Sequence, residues 1–326
     1  MLRRAAERPG GRLSEVFESK AELQAAYDFV ESDIDPRALV EGFADATVRA
    51  ARDLPFVYVV VDGTSLSLTD RQQTKDFGSI GQRAFPTRGL KVIDALAVAP
   101  DGAPIGLLDV HFWARKPKAT RPRFMRRRLR DTETTHWVEV LERLRDRMVP
   151  SLIRPWFVID REGDCAEMLR ALDRPEVTFT VRSNQDRRLS PGSSRNHSLR
   201  AHMRNRPVLG RHFVNVPSTD GQPSRIARLD MRIGRVVLDL PNHAQSSRAR
   251  TSLAVHVLWL RERHPPRGRA PVDWMLLTNH SMDDHHDALA VLESYCHRWR
   301  IEDFHRAWKR GRCFVEETQL RRRITS

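Results

Sequence analysis

Phe56-Val57-Tyr58-Val59-Val60-Val61-Asp62-Gly63-Thr64-Ser65 is the stretch from which the fold can be read. A short run of β-branched and aromatic residues matches a buried strand. It ends in one acid, and Gly63, Thr64 and Ser65 read as its terminator. A second run, Trp156-Phe157-Val158-Ile159, ends in Asp160. Arg161-Glu162-Gly163-Asp164 follows, then a helical pattern through Leu172. A carboxylate at the end of a core strand points into a crevice where backbone pairing stops. Taken singly, each aspartate could equally begin a turn.

Outward from these runs, further strands are expected near 90–98 and 104–113, with Gly102 turning the chain between them. With 56–62 they make an antiparallel trio. Upstream, 19–53 reads as two helices, Lys20–Val30 and Pro36–Arg52, with Asp33 to Asp35 supplying the turn and cap. Residues 1–18 read as a loose polar leader. Residues 133–148 carry a helical period. The segment from about 183 to 270 breaks the rhythm with turn residues, many arginines and short strands such as Val208–Val216 and Arg235–Leu240. Arg261 to Pro271, with Pro265-Pro266 and Gly268, reads as a loop. A short strand, Trp274–Leu277, and one helix over 283–310 complete the chain, which has no internal repeat.

That last helix contains Tyr295-Cys296-His297-Arg298-Trp299-Arg300-Ile301-Glu302-Asp303-Phe304-His305-Arg306-Ala307-Trp308-Lys309. On one continuous helix, Tyr295, Arg298, Glu302 and Lys309 fall within an arc of roughly 60°. The arrangement suits a carboxylate that holds a metal ion beside phosphates. The bland alternative is a solvated face of ion pairs. Two strand-end aspartates and a helix glutamate together offer the hard oxygen ligands that Mg²⁺ prefers.

In this order and spacing the chain resembles the DDE transposases of the insertion-sequence-four family, most closely the transposon-Tn-five-like branch, from about Ser19 to Leu320. Asp62-Gly63-Thr64-Ser65-Leu66-Ser67 looks like the family's first acidic motif and Val158-Ile159-Asp160-Arg161-Glu162-Gly163-Asp164 like its second. Tyr295, Arg298, Glu302 and Lys309 match its Tyr-Arg-Glu-Lys signature. Trp274, in Val272-Asp273-Trp274-Met275-Leu276-Leu277-Thr278, matches the tryptophan on which these enzymes stack a flipped base; a lone tryptophan is otherwise more often core.

The resemblance implies an α/β fold. The expected form is a ribonuclease-H-like mixed sheet with helices on both faces, a β-rich insertion and a small N-terminal helical segment. The expected divisions are 1–53, a core in two parts (54–182 and 272–320), the insertion at 183–271, and a tail at 321–326. It implies two Mg²⁺ ions, with Mn²⁺ able to substitute, held by Asp62, Asp160 and Glu302, with Asp62 bridging. Such a pair activates water and stabilises the leaving 3′ oxygen of a phosphodiester displacement. Nicking, hairpin formation, hairpin opening and strand transfer at transposon ends would follow. Tyr295, Arg298 and Lys309 would contact phosphates, and Trp274 would receive the extruded base. The implied partners are double-stranded DNA at inverted repeats, target DNA, and a second copy in a synaptic complex. The family pattern carries further helices before Ser19 and after the signature helix; Arg321 to Ser326 stands in their place here. A truncated element is therefore expected, which keeps open two alternatives: a metal-dependent nuclease, and a DNA-binding remnant that inhibits transposition.

Composition agrees. The net charge is +14 and the pI about 10.7, which favours a polyanionic partner. All but six of the 56 basic residues are arginine, whose planar fork grips phosphates with two hydrogen bonds; coding bias is the alternative source. The run from Arg121 to Arg130, with Arg126-Arg127-Arg128, reads as a phosphate-binding segment. Cys165, Cys296 and Cys313 form neither a metal-ligand pair nor a disulfide framework, which fits a reducing compartment. No apolar run approaches the roughly 20 residues of a spanning helix, and no signal region follows the basic start. A cytoplasmic, nucleoid-associated protein is expected. Gly78-Ser79-Ile80-Gly81 lacks the Lys-Ser/Thr of a P-loop. His285 and His286, beside Asp283 and Asp284, read as polar residues at a helix start rather than as metal ligands.

Overall fold

The computed structural model describes residues 4, 7–8, 12–70, 75–81, 87–116, 132–192, 194–216, 218, 223–242, 249–311 and 313–318. The arginine-rich run 121–130 and the tail 321–326 lie outside them.

β1 (Val57–Ser67) organises the molecule. Side chains alternate between the faces of a strand. Val57, Val59 and Val61 enter one core layer, with α4 (Glu133–Met148) and α5 (Ala166–Leu172). Tyr58 and Val60 enter the other, with α7 (His285–Cys296) and α8 (Trp299–Lys309). Helices therefore cover both faces of the sheet.

β3 (Arg88–Val98) pairs antiparallel with β1, and β4 (Pro104–Trp113) antiparallel with β3. The two-residue β2 (Gly78–Ser79) also pairs with β3. Gly102 turns the chain between β3 and β4 at a φ of 86°, a conformation that glycine adopts without steric cost. On its other side β1 pairs parallel with β5 (Pro155–Ile159), and β5 parallel with β6 (Thr178–Arg182). β10 (Asp273–Thr278) then joins β6 antiparallel. β9 (Arg250–Glu262), β8 (Arg225–Pro241) and β7 (Gly210–Val216) continue outward as an antiparallel meander. The described strands thus form one ten-stranded mixed sheet, and the protein is a mixed α/β protein. The strand-rich segment between the second and third acidic motifs extends this same sheet. The six-residue α6 (Leu199–Arg204), which the sequence reading did not anticipate, lies within that segment.

At the N-terminus, α1 (Leu13–Val16) precedes α2 (Lys20–Glu31) and α3 (Pro36–Ala50). Ser19 accepts from the Glu22 N–H and Asp35 from the Arg37 N–H, so both longer helices carry side-chain caps. α3 is tied to β4 by Thr47, whose hydroxyl donates to the Leu107 carbonyl at 2.8 Å. Among the described residues no helix is long and apolar enough to cross a membrane.

Two sequence expectations are corrected. Asp62 does not end its strand: Gly63 to Ser67 continue β1, because β3 offers partners as far as Gly89. What ends there is the parallel ladder, whose last pair is Val61 with Ile159. The helix expected over 283–310 is two helices. The chain tightens at His297 and Arg298, where Arg298 N–H bonds to the Tyr295 carbonyl and Ile301 N–H to that of Arg298, both at 3.2 Å. These three-residue steps are tighter than α-helical ones. Tyr295 therefore closes one helix, and Arg298 stands at the N-cap of the next.

Candidate active site

Strand alternation assembles the site. Asp62 shares a face with Tyr58 and Val60, Asp160 follows Trp156 and Val158 in phase, and Asp94 precedes Leu96 and Val98 in phase. All three acids thus lie on the face covered by α7 and α8. Asp62 and Asp94 are direct partners across β1 and β3. Asp160 is the next rung beyond the last β1–β5 pair, beside Asp62. On the opposite face Gly63 leaves room for Trp137 and Glu162, since a Cβ there would come within 2.8 Å of the Trp137 ring and 2.9 Å of a Glu162 carboxylate oxygen.

Arg298 sits at the centre. Its side chain is 5% exposed, and Nη1 lies 3.9 Å from Oδ2 of both Asp62 and Asp160. Nη2 donates to Glu302 Oε1 at 2.5 Å. One guanidinium therefore joins all three carboxylates that the sequence singled out. Its Nε is buried without a hydrogen-bond partner among the described residues. The cation lies over the rings of Tyr295 and Trp299, 5.7 and 5.1 Å from their centroids, a favourable placement for a desolvated charge. Tyr295 donates its hydroxyl proton to Asp160 Oδ1 at 3.0 Å. Arg182, from β6, donates to the same hydroxyl at 3.4 Å and lies 3.7 Å from Asp160.

Lys309, at the far end of α8, donates to Thr64 Oγ1 at 2.6 Å. Thr64 lies two residues beyond Asp62 on the same strand face, so the signature side chains gather along the middle of β1. Trp274 is 8% exposed and meets Tyr295 edge-on, with centroids 5.1 Å apart. Its ring belongs to the layer beneath α7 rather than to an open platform.

The two aspartates differ in electrostatics although they share one arginine. Burial dominates at Asp62 and raises its pKa to about 6, against the pull of Arg298, His305 and the Gly63 N–H. Burial also opposes ionisation of Asp160. There Arg298, the Arg161 N–H, Arg182 and the Tyr295 hydroxyl together prevail, and its pKa falls below the ordinary carboxylate range. Burial pushes the Tyr295 phenol upward, with the Asp160 charge adding to it, so it stays a proton donor. Burial works against the charge on Arg298, but Tyr295, Asp160 and Glu302 outweigh it and hold the guanidinium firmly charged.

The sequence reading did not pick out Asp94 and His305. Asp94 is fully buried, and its Oδ2 meets His305 Nε2 at 2.9 Å while Oδ1 has no partner among the described residues. Burial raises the Asp94 pKa, with the His305 hydrogen bond acting against it. Two signals were present. Asp94 interrupts an apolar strand, and His305 falls one helical turn after Glu302. Asp164 is instead an anchor: its carboxylate accepts from the Asn184 and Gln185 N–H groups and pairs with Arg187 at 2.6 Å, which fixes the loop after β6.

Two aspartates and a glutamate are the donor set that hard divalent cations take, so the residues fit that chemistry. Their oxygens do not all lie within 4.8 Å of one another, a spacing that among the described residues only His111, His136 and Glu139 meet. Arg298 now supplies the positive charge between the carboxylates, and ion binding there requires its guanidinium to give way. No family model matches the chain.

Proposed function

We propose that this protein is a metal-dependent DNA strand-cleaving and strand-joining enzyme, the catalytic part of a cut-and-paste transposase of the DDE type. The observation that carries the reading is the meeting of Asp62, Asp160 and Glu302, far apart in sequence, around the buried guanidinium of Arg298. The strand order β4-β3-β1-β5-β6, antiparallel and then parallel, supports a ribonuclease-H-like core.

Asp62, Asp160 and Glu302 would hold two Mg²⁺ ions, which when bound activate the attacking oxygen and stabilise the leaving one. The remaining roles belong to the chain itself. Tyr295 donates to Asp160 and keeps that carboxylate ionised and oriented. Arg298 is released from the carboxylates as their charge is neutralised, and turns to a phosphate oxygen. Lys309 and Thr64 mark where the neighbouring phosphate lies. The +14 charge draws duplex DNA to the site. Inverted repeats and target DNA are the substrates, and a second copy completes the paired-end complex. Stacking of an extruded base on Trp274 would require the ring to emerge from beneath α7.

The test is a cleavage time course on a labelled duplex carrying the inverted repeats that flank the gene. Mg²⁺-dependent nicks, hairpins and double-strand breaks are expected, and Asp160→Asn should abolish all three while retaining DNA binding. Cleavage of any duplex without joining to a target plasmid would make the protein a nuclease. Binding of the ends without cleavage would make it a DNA-binding inhibitor.

A further inference from the structure

On the opposite face of the sheet, His111 of β4 and His136 and Glu139 of α4 converge. His111 Nε2 and His136 Nδ1 are 3.0 Å apart, and one ligand atom from each of the three side chains lies within 4.8 Å of the others. The three-residue spacing on α4 puts His136 and Glu139 on one side of the helix. Trp113 holds both imidazoles by stacking, at 4.7 Å from His136 and 5.7 Å from His111, with interplanar angles of 23° and 24°. The rings are therefore oriented before any ligand arrives.

We propose that His111, His136 and Glu139 form a Zn²⁺ site that cross-links β4 to α4, separate from the carboxylate site. Zn²⁺ bound to imidazole nitrogens at about 2.0–2.1 Å in tetrahedral geometry separates two of them by roughly 3.4 Å, so the pair needs to open only slightly. Two imidazoles and one carboxylate favour such a borderline ion over Mg²⁺, and a water takes the fourth position. The arginines nearby do not forbid a cation. Asp109 accepts from Arg37 at 2.8 Å and from Arg143 at 3.0 Å, and Glu41 lies 3.3 Å from Arg37. Arg147 shares Glu41 and also pairs with Asp45 at 2.8 Å, so three positive charges have three acids against them.

The experiment uses the full chain carrying Asp160→Asn, stripped with chelator and dialysed, so that ions at the carboxylate site do not dominate. Zn²⁺ is titrated by calorimetry, and Co²⁺ by its visible absorption, which is intense only for tetrahedral coordination. One equivalent of Zn²⁺ is expected to bind in the presence of millimolar Mg²⁺ and to raise the Tm. His136→Asn and Glu139→Gln should each weaken Zn²⁺ at least tenfold and remove the Co²⁺ bands. Circular dichroism checks that the variants are folded. The proposal is overturned if folded Asp160→Asn protein takes up no Zn²⁺, or if folded variants keep stoichiometric Zn²⁺ and the same Co²⁺ spectrum. Because DNA is absent from the assay, the outcome is independent of the transposase reading.

Discussion

Asp62→Asn should make the protein more stable and inactive at once. Burial raises the Asp62 pKa from the ordinary 3.8 to about 6. Between these values the folded chain holds a proton that the unfolded chain has released. Stability therefore falls as pH rises through that window and stays lowered above it. At roughly 1.36 kcal/mol per pH unit the loss is about 3 kcal/mol; the Asp62 side chain is only 17% exposed, so solvent screening removes little of it. Asparagine keeps the shape and can still accept the Gly63 N–H, which Oδ1 of Asp62 accepts at 2.9 Å, but never ionises. In chelator, urea unfolding at pH 7.5 should show the variant more stable by about 2–3 kcal/mol, with the gap nearly closed at pH 4. Mg²⁺ should stabilise the parent and leave the variant unmoved. A variant less stable than the parent at pH 7.5, or a gap that ignores pH, would falsify the electrostatic account of this site.

Two further outcomes test its surroundings. His305→Ala leaves the buried Asp94 carboxylate without the hydrogen bond that Oδ2 now makes, which should cost about 1–3 kcal/mol in urea unfolding; unchanged stability would show that the pair is not what holds α8 onto β3. Trp274→Ala should lose about 3–5 kcal/mol to a core cavity, so the informative variant is Trp274→Phe, which keeps most of the volume. Nicking should survive in it while hairpin formation declines, as measured on the end-bearing duplex; equal slowing of both steps would return Trp274 to a packing role.

Much of the site is local information. The apolar runs before Asp62 and Asp160 required strands, the acids at Asp35 and Asp284 required helix starts, and the signature spacing named Tyr295, Arg298, Glu302 and Lys309. What the chain could not disclose depends on partners far away in sequence. β1 runs past Asp62 because β3 keeps its hydrogen bonds company as far as Ser67, and nothing in Gly63-Thr64-Ser65 says so. Asp94 stands out in the sequence only as an acid interrupting an apolar strand, and its partner His305 lies 211 positions later. The helix break at Arg298 belongs to the same class. No Gly or Pro marks it in the sequence, and the tight turn sets Arg298 where Asp62, Asp160 and Glu302 compete for one charge. The arc read from a single continuous helix therefore grouped residues that two helices carry. Trp274 shows the converse: its motif suggested an open platform, whereas packing against Tyr295 buries it. Local pattern determines which elements form, because propensity and alternation act over a few residues. Burial and charge compensation are set by which elements meet, and that only the tertiary structure decides.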